Sequence, residues 1–372
     1  MAKQILITGA KGFIGQNLLV ALRRREDVQV DTFDSDSNEN ELPEKLAKAD
    51  LVYHLAGVNR SEEDADFKRV NQGLTERIAN HLIERKSPAL VVFSSSTQAE
   101  LDNVYGCSKR AAEQVLLDAQ QRGLNVCIYR LPGVFGKWSR PNYNTVVATF
   151  CHNISRGMEI TISDRSKELT LVYVDEVVER LSSHLDQEPS QAETWGTLSQ
   201  TFCISLGDLA DRLREIHDVR VTKKIPDFSD DLTRKLYSTY LSFLKSDGFA
   251  YPAEMRTDER GWLFELVKSD SFGQIFVSTT HPGITRGNHY HDSKIEKFCV
   301  VQGRGMIRFR HVDSHEVIEY PVDDTDIRIV DIPPGYTHSI ENIGDTEMLT
   351  LFWANEVFDP EAPDTYWEAV QK

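Results

Sequence analysis

Three histidines and one glutamate near the end of the chain have the types and spacing of metal ligands. His289 and His291 are two residues apart, so on a strand both imidazoles point to the same side of the sheet. Glu296 and His338 can complete the set from neighbouring strands. Such a set suits Zn, Fe, Mn or Ni equally. The pattern predicts a metal site, and a further open position on the ion would make it a Lewis acid.

A tyrosine and a lysine in the first half of the chain could transfer protons. Tyr105 and Lys109 are spaced i, i+4, which places them on one face of a helix. A neighbouring ammonium is expected to lower the pKa of the phenol, which is ordinarily about 10, by favouring the phenolate. Such a tyrosine can give a proton to a ketone oxygen as a hydride arrives, or take one from an alcohol in reverse.

A row of serines precedes this pair and could act on the same carbonyl. Ser94, Ser95 and Ser96 end a predicted strand, and a hydroxyl there would polarise a carbonyl oxygen next to Tyr105. Ser96 is the first choice for this role and Ser95 is the second. The alternative is that the serines only terminate the strand, because short motifs often match by chance.

A glycine-rich turn at the start of the chain predicts a dinucleotide site. The string TGAKGFIG follows the first predicted strand and opens the first predicted helix. Glycines there let backbone N–H groups approach a pyrophosphate at the helix N-terminus, where the helix dipole favours anions. The residues of this turn that are expected to bind the cofactor are Gly9, Lys11, Gly12, Phe13, Ile14 and Gly15.

An acid after the second predicted strand bears on the choice of cofactor. Asp34 lies about 20 residues past the glycines, where a carboxylate would accept a hydrogen bond from the ribose 2′-OH. An ordinary loop aspartate is the alternative, because Asp36 and Glu39 follow closely. These residues are compatible with both NADH and NADPH.

The first part of the chain alternates strand-like and helix-like segments, which would position these side chains. Strands are predicted at 4–8, 28–33, 50–54, 89–94 and 125–130. Helices are predicted at 12–25, 43–49, 66–85 and 108–122. Such alternation is typical of βαβ units, so we expect an α/β domain with a doubly wound parallel sheet over residues 1–244.

The sequence pattern changes from about residue 271, and the domain boundary is expected within residues 245–253. Short strand-like runs, separated by Gly, Asp or Pro, are predicted at 274–279, 297–301, 305–309, 317–320, 327–331 and 348–353. Closely spaced strands of this kind predict an all-β sandwich or barrel over residues 253–372. Arg308 and Arg310 share a face of one such strand, and we expect both cations to point to solvent rather than to a phosphate group.

The overall composition argues against several classes of protein. The 372 residues carry a net charge of −16, so the basic footprint of a nucleic-acid-binding protein is absent. No apolar run approaches the roughly 18 residues of a membrane span, and the first residues enter a strand directly, which leaves no room for a signal peptide. The five cysteines form no CxxC, which fits a reducing compartment. We expect a cytoplasmic protein without nucleic-acid or membrane partners.

The N-terminal motifs together resemble the extended short-chain dehydrogenases/reductases of the nucleotide-sugar type. The matching strings are TGAKGFIG, HLAG, SSS, YGCSK, RLPG and YVD. The resemblance implies a Rossmann-like fold, places Leu55, Ala56 and Gly57 along the cofactor, and puts Pro132 next to the nicotinamide. Only eight residues separate Ser96 from Tyr105, where sugar epimerases of this family have a longer insertion, so a wider active-site mouth is expected.

The C-terminal histidines lie in a string that resembles the cupins. Residues 283–303 match G-x5-H-x-H-x4-E-x6-G at every fixed position, and residues 333–342 match P-x-G-x2-H-x3-N. The leading glycine of the second motif is absent. The resemblance implies a cupin barrel that holds zinc. Glu296, Tyr290 and Lys294 are near the motif and are candidates for moving a proton there.

A reductase followed by a metal cupin resembles the CapF-like family of bifunctional enzymes over essentially the whole chain. The resemblance implies that the cupin domain epimerises C3 of a UDP-linked 4-keto-6-deoxy-N-acetylhexosamine. The N-terminal domain would then reduce the C4 ketone with NADPH, giving UDP-2-acetamido-2,6-dideoxy-L-talose, a precursor of UDP-N-acetyl-L-fucosamine in capsule or O-antigen biosynthesis. A homodimer is also expected.

Two other functions stay open. One is a plain NAD(P)H-dependent 4-keto sugar reductase whose cupin is a structural or dimerising module. The other is a non-catalytic protein that senses NAD(P) and a sugar. The intact Tyr105 and Lys109 argue against the second alternative.

Overall fold

The chain folds into two compact units, each built from two stretches of sequence. The computed structural model describes residues 2–60, 63–254, 256–258, 261–263, 267, 273–356 and 361–372. The first unit comprises Met1–Val146 and Glu168–Ile204, and the second comprises Val147–Lys167 and Ser205–Lys372. The predicted limits of 1–244 and 253–372 are based on the change in strand pattern along the sequence, whereas the two units are defined by which residues pack together.

The centre of the first unit is a five-stranded parallel sheet in the order β2-β1-β3-β4-β5. Its strands are β1 (Lys3–Thr8), β2 (Val28–Phe33), β3 (Leu51–His54), β4 (Leu90–Ser96) and β5 (Asn125–Leu131). The parallel sheet is confirmed, and every predicted strand is present. The apolar side chains are buried on both faces of the sheet, which explains the nearly continuous apolar runs in the sequence.

Helices lie against this sheet and enclose two apolar cores, one on each face. They are α1 (Phe13–Leu22), α2 (Leu42–Lys48), α3 (Asp64–Asp66), α4 (Leu74–Glu84), α5 (Val104–Gln121) and α7 (Val174–Ser182). A π-helical turn, Phe67–Gly73, joins α3 to α4. A further sheet that the sequence analysis did not predict contains β6 (Gly133–Phe135), β7 (Glu168–Tyr173) and β8 (Phe202–Ser205).

Helix α5 begins at Val104, four residues before the predicted start at 108. The Asn103 side chain accepts a hydrogen bond of 2.7 Å from the Gly106 backbone N–H and so caps the helix. A Cβ on Gly106 would lie 2.2 Å from the Gln98 carbonyl oxygen, so only glycine lets the first turn approach the chain after β4. This early start places Tyr105 in the first turn of α5.

The second unit contains two five-stranded antiparallel sheets, which confirms the all-β prediction. Their strand orders are β12-β19-β14-β17-β9 and β16-β15-β18-β13-β20. The strands are β9 (Ala250–Pro252), β12 (Gln274–Thr280), β13 (Thr285–Tyr290), β14 (Glu296–Gln302), β15 (Arg304–His311), β16 (Val317–Asp323), β17 (Arg328–Ile332), β18 (Tyr336–Asn342), β19 (Met348–Ala354) and β20 (Tyr366–Trp367). Separately, β10 (Arg256–Asp258) pairs antiparallel with β11 (Gly261–Leu263).

The remaining helices are α6 (Val146–Ile154), α8 (Leu206–Thr222) and α9 (Asp231–Leu241), and buried ion pairs tie α8 to the strands of the second unit. Asp331 on β17 accepts hydrogen bonds from Lys297 on β14 and, at 2.7 Å, from Arg220 on α8. Lys297 and Asp331 are both about 1% exposed. Residues 205–252 therefore pack with the C-terminal strands although they precede the predicted boundary.

The two arginines that were expected to face solvent are both engaged. Arg308 pairs with Glu319 at 2.8 Å and with Glu341 at 2.5 Å. Arg310 is 1% exposed and donates to the backbone carbonyl of Val370 at 3.0 Å. The expectation for Arg310 is wrong because the C-terminal residues cover this strand.

Across the described part of the chain, no helix has the length and apolar content that a bilayer crossing requires.

We expect the ion pairs around Asp331 to dominate the stability of the second unit. Asp331→Asn would leave Lys297 and Arg220 without their charge partner, at a cost of about 3–5 kcal/mol in the free energy of unfolding. The exposed pair Asp326–Arg328 offers a matched control, and Asp326→Asn should cost less than about 1 kcal/mol. Urea unfolding of both variants measures the difference. Equal midpoints for the two variants would contradict this role.

Candidate catalytic and metal-binding sites

The glycine-rich turn lies at the carboxyl end of β1, next to the end of β3. Gly9 has a φ of +75°, and a Cβ there would lie 2.7 Å from the Ala56 backbone. A Cβ on Gly15 would lie 2.1 Å from the Gly9 carbonyl oxygen. Glycine is therefore required at both positions for the turn, the helix and β3 to meet. Because the strand order reverses between β1 and β3, this edge is where doubly wound sheets bind dinucleotides.

The other predicted cofactor residues line the same edge of the sheet. Leu55, Ala56 and Gly57 directly follow β3 and are half-buried, and Pro132 lies between β5 and β6. At the start of α1, Lys11 and Gly12 are exposed, Ile14 is half-buried and Phe13 is buried. The structure thus places these predicted cofactor residues at the carboxyl edge of the parallel sheet, where a dinucleotide crevice is expected.

Asp34 is placed to order this turn. Its carboxylate accepts a hydrogen bond of 2.9 Å from the Lys11 backbone N–H, across the ends of β1 and β2. The Lys11 ammonium instead pairs with the exposed Asp36 at 2.5 Å. Carboxylates and the Lys11 ammonium thus lie next to each other where the adenosine ribose of a dinucleotide would lie.

Tyr105 and Ser96 lie together at the end of β4. Burial raises the pKa of Tyr105, and a hydrogen bond with the Ser96 side chain opposes the increase. The neutral phenol is therefore the stable form, as a proton donor requires. The prediction of a lowered pKa is wrong, because burial is the largest cause of the shift and the neighbouring Tyr143 raises the pKa further.

Lys109 lies beneath this pair and is almost fully buried. Its ammonium donates a hydrogen bond of 2.8 Å to the Ser94 carbonyl. Burial lowers the pKa of Lys109 to about 8, and Glu113 partly counteracts the decrease. A Cβ on Gly57 would lie 3.2 Å from Nζ, so the ammonium sits directly against the predicted cofactor crevice.

Ser95 alternates with Ser96 along β4 and is hydrogen-bonded to Glu113 on α5 rather than to Tyr105. Its hydroxyl donates a hydrogen bond to Glu113, which also accepts two hydrogen bonds from Arg130, at 2.9 and 2.7 Å. The alternation of side chains along a strand explains why Ser96 and Ser95 cannot both face the phenol. The geometry favours Ser96, the first choice.

Asn71 is a polar residue that the sequence analysis missed. It lies on the π-helical turn and is 1% exposed. Its side chain accepts a hydrogen bond of 2.8 Å from the Val58 N–H and donates one of 2.9 Å to the Ser108 hydroxyl. Asn71 therefore joins the end of β3 to the first turns of α5. Its only sequence signal is a buried asparagine within an amphipathic segment, which is too weak to single it out.

The four predicted metal ligands form one cluster in the second unit. His289 on β13, His291 just after it, Glu296 at the start of β14 and His338 on β18 each direct a ligand atom inward. These ligand atoms all lie within 4.8 Å of one another. A β-bulge before His289 includes Gly287, with a φ of +98°, and turns His289 toward His338.

The hydrogen bonds around the cluster fit a bound metal. His291 Nδ1 donates to the Asp364 carbonyl at 2.6 Å, and Nε2 lies within hydrogen-bond distance of Glu296, at 3.2 Å. Loss of the Nε2 proton would free this nitrogen for a metal. His338 Nε2 is buried, lies 3.6 Å from Glu296 and makes no hydrogen bond with the described residues. A buried imidazole nitrogen without a donor or acceptor is the atom that a metal would satisfy.

Electrostatics prepare the same cluster for a cation. Burial alone would raise the pKa of Glu296, but His291 and His338 outweigh it and keep the carboxylate ionised. Burial, together with the other two histidines, lowers the pKa of His289 to about 3. Burial alone would lower the pKa of His291, but Glu296 outweighs it and raises this pKa. His291 must therefore lose a proton when a metal binds, whereas His289 is already in the neutral form that binds metals.

Asp364 supports this cluster and was also missed. Its carboxylate accepts hydrogen bonds from the backbone N–H groups of Asp292, Ser293 and Lys294, at 3.0, 2.9 and 2.7 Å. Lys294, a candidate proton carrier, instead donates to the Pro363 carbonyl. No feature of the sequence distinguishes Asp364, because its partners lie some 70 residues earlier.

Comparison with known proteins agrees with both halves of the structure. Residues 5–194 match the NAD dependent epimerase/dehydratase family, and residues 256–366 match the polysaccharide biosynthesis C-terminal domain. A protein of Haloferax volcanii, described as a probable low-salt glycan biosynthesis epimerase, is 25% identical over 123 residues, which are 30% of this chain and 79% of that protein.

Several similar proteins match nearly the whole chain. A Pseudomonas aeruginosa protein described as UDP-2-acetamido-2,6-beta-L-arabino-hexul-4-ose reductase is 44% identical and covers 98% of each chain. The crystal structure of the capsular polysaccharide assembling protein CapF from Staphylococcus aureus has a TM-score of 0.67 at 44% identity, covering 98% of this chain and 100% of that one. The resemblance seen in the sequence is confirmed. The chain belongs to the NAD-dependent epimerase/dehydratase family, as a CapF-like member that carries a C-terminal polysaccharide biosynthesis domain.

Proposed function

We propose that the chain is a bifunctional nucleotide-sugar enzyme of capsule or O-antigen biosynthesis. The second unit epimerises C3 of a UDP-linked 4-keto-6-deoxy-N-acetylhexosamine, and the first unit then reduces the C4 ketone. The product would be UDP-2-acetamido-2,6-dideoxy-L-talose. The Pseudomonas aeruginosa relative is named as a reductase of such a hexulose, which supports the reduction. The relative named as an epimerase supports the first step. On the same proposal the enzyme is a cytoplasmic homodimer.

The chemistry of the sugar explains why the two activities belong together. A C–H bond of a sugar ring is too weakly acidic to exchange, but a ketone at C4 stabilises the anion left at C3 as an enolate. Removal of the C3 proton and its return from the other face invert that carbon. Reduction of C4 abolishes the ketone and fixes the new configuration, so epimerisation must come first.

In the first unit, Tyr105 donates its phenolic proton to O4 of the sugar, and Ser96 holds the same oxygen by a hydrogen bond. Bound NADPH, or NADH, would supply the hydride that C4 receives. Lys109 keeps a positive charge next to the crevice, and Asn71 fixes the end of β3 against α5. A proton from solvent restores the phenol after each turnover.

In the second unit, His289, His291, Glu296 and His338 hold the metal, for which we propose Zn2+ among the divalent ions that suit these ligands. The metal would stabilise negative charge on the carbonyl oxygen while C3 is deprotonated. Asp364 orients His291, because its backbone carbonyl accepts a hydrogen bond from the imidazole Nδ1.

The observation that carries the proposal is the second, complete centre: a buried set of metal ligands in a chain that already holds the Tyr105–Lys109 pair. A structural cupin would also explain the fold of this unit. It predicts that metal removal lowers stability and that C3 of the keto sugar does not exchange with solvent.

Tyr105→Phe separates the two activities. The variant lacks the proton for O4, so reduction should fall by at least about 100-fold, whereas C3 exchange should be unchanged. Both are measured on the 4-keto substrate in D2O, by NADPH absorbance and by deuterium at C3. Exchange in the same sample is the control for folding. Reduction at the wild-type rate would refute the role of Tyr105, and no exchange by the wild type would refute the epimerase.

The pH dependence of reduction should report on Lys109. Its ammonium form predominates below its pKa of about 8 and is lost above it, so the rate of reduction should fall as the pH rises through this value. In Lys109→Arg the charge persists at high pH, and the residual activity should not show this decline. A decline at the same pH in both proteins would assign it to another group.

Metal binding should depend on the cluster and on its support. His338→Ala removes a ligand and should abolish bound zinc in elemental analysis. Asp364→Ala keeps all four ligands but frees the loop that carries His291, so zinc affinity should fall about 10–100-fold in competition with a chelator. The exposed His315 provides a control, since His315→Ala should change neither value. Full zinc content in His338→Ala would exclude the proposed ligand set.

A further inference from the structure

The short C-terminal strand β20 places an exposed tryptophan beside the metal ligands. In the antiparallel ladder of β13 and β20, Trp367 is opposite His289 and Tyr366 is opposite Tyr290. Opposite residues in such a ladder have their side chains on the same face of the sheet. The rings of Tyr290 and Tyr366, 5.4 Å apart, confirm this register. Trp367 therefore lies on the face of the sheet that carries His289.

This face continues across the sheet to the rest of the metal cluster. His289 is also opposite His338 on β18, and their rings are 4.7 Å apart. Trp367, His289 and His338 thus form one row across three neighbouring strands. The row ends at solvent, because β20 is the edge strand and the Trp367 side chain is 80% exposed.

A strand of two residues is too short to fix the position of a tryptophan. The residues that precede and follow β20 make the hydrogen bonds that hold the strand in place. Before the strand, Asp364 binds the loop of residues 292–294. After it, the Glu368 N–H donates to the Asn288 carbonyl at 2.8 Å. The buried Arg310 donates to the carbonyls of Ala369 and Val370 at 2.9 and 3.0 Å. These contacts fix the backbone position of Trp367, whose side chain is largely exposed to solvent.

We propose that Trp367 is the platform on which the pyranose ring of the nucleotide sugar stacks at the metal site. This inference rests on the proposed function, because the sugar must lie at the ligands for C3 to react. The 6-deoxy sugar has a methyl group in place of a hydroxyl, so its C–H surface is more apolar than that of a hexose and suits an indole face. The ring next to His289 is the reacting sugar, and the uracil, two phosphates away, lies elsewhere.

Kinetics of C3 exchange test the platform. Trp367→Ala should raise KM for the 4-keto sugar about tenfold, by the usual worth of an aromatic stack, with zinc content and kcat little changed. Trp367→Phe should recover most of this loss. Trp195, a half-exposed tryptophan of the first unit, gives the matched control, and Trp195→Ala should not alter exchange. An unchanged KM in Trp367→Ala would overturn the proposal while leaving the epimerase intact.

A binding experiment keeps the platform testable if the wild type does not exchange C3 at all. UDP-N-acetylglucosamine should quench tryptophan fluorescence of the wild type more than that of Trp367→Phe, whereas UMP should quench both equally. Equal quenching by the nucleotide sugar, or a difference already present with UMP, would overturn stacking of the sugar. Dissociation of an oligomer on Trp367→Ala in sedimentation would assign the residue to a subunit interface and would also overturn it.

Discussion

A carboxylate buried among imidazoles is the interaction on which the second centre depends. Glu296 belongs to one sheet, while His289 and His338 belong to the other. A carboxylate in this interior would cost several kcal/mol if it stood alone, so its ionised state requires the histidines. The same contact orders the ligand atoms and joins the two sheets. The charge compensation of Glu296 therefore stabilises both the packing of the two sheets and the arrangement of the metal ligands.

The next residue of β14 repeats this arrangement on the opposite face. Lys297 follows Glu296, and because side chains alternate along a strand it points outward, where Asp331 neutralises it. Arg220 extends the network to α8. Two adjacent buried charges of opposite sign thus fix β14 from both faces. Packing of α8 is coupled in this way to the strand that presents Glu296, which explains why residues 205–252 belong with the second unit.

The sequence predicted the parts of the structure that have local patterns. Buried apolar runs identified the parallel strands, and the motif spacing identified the metal ligands that the structure brings together. Strands β13 and β18 have no apolar run, because their inward positions include the predicted metal ligands rather than apolar core residues. Only the histidine motif therefore indicated these two strands. Arg310 and Asp364 could not be assigned, since their partners lie about 60 and 70 residues away and are largely backbone groups, which leave no trace in residue type.

On the proposed function, the order of the two reactions also gives the fusion a thermodynamic reason. Proton exchange at C3 is reversible and changes neither charge nor bond count, so epimerisation alone would leave a mixture of two ketones. Hydride transfer to C4 in the other unit removes one of them and draws the equilibrium forward. Tyr105 and the metal ligands lie in different units, so the nucleotide sugar must be bound at both centres in turn. If the reductase is selective for the ketone inverted at C3, that selectivity determines the stereochemistry of the product. The barrel then only has to interconvert the two ketones quickly.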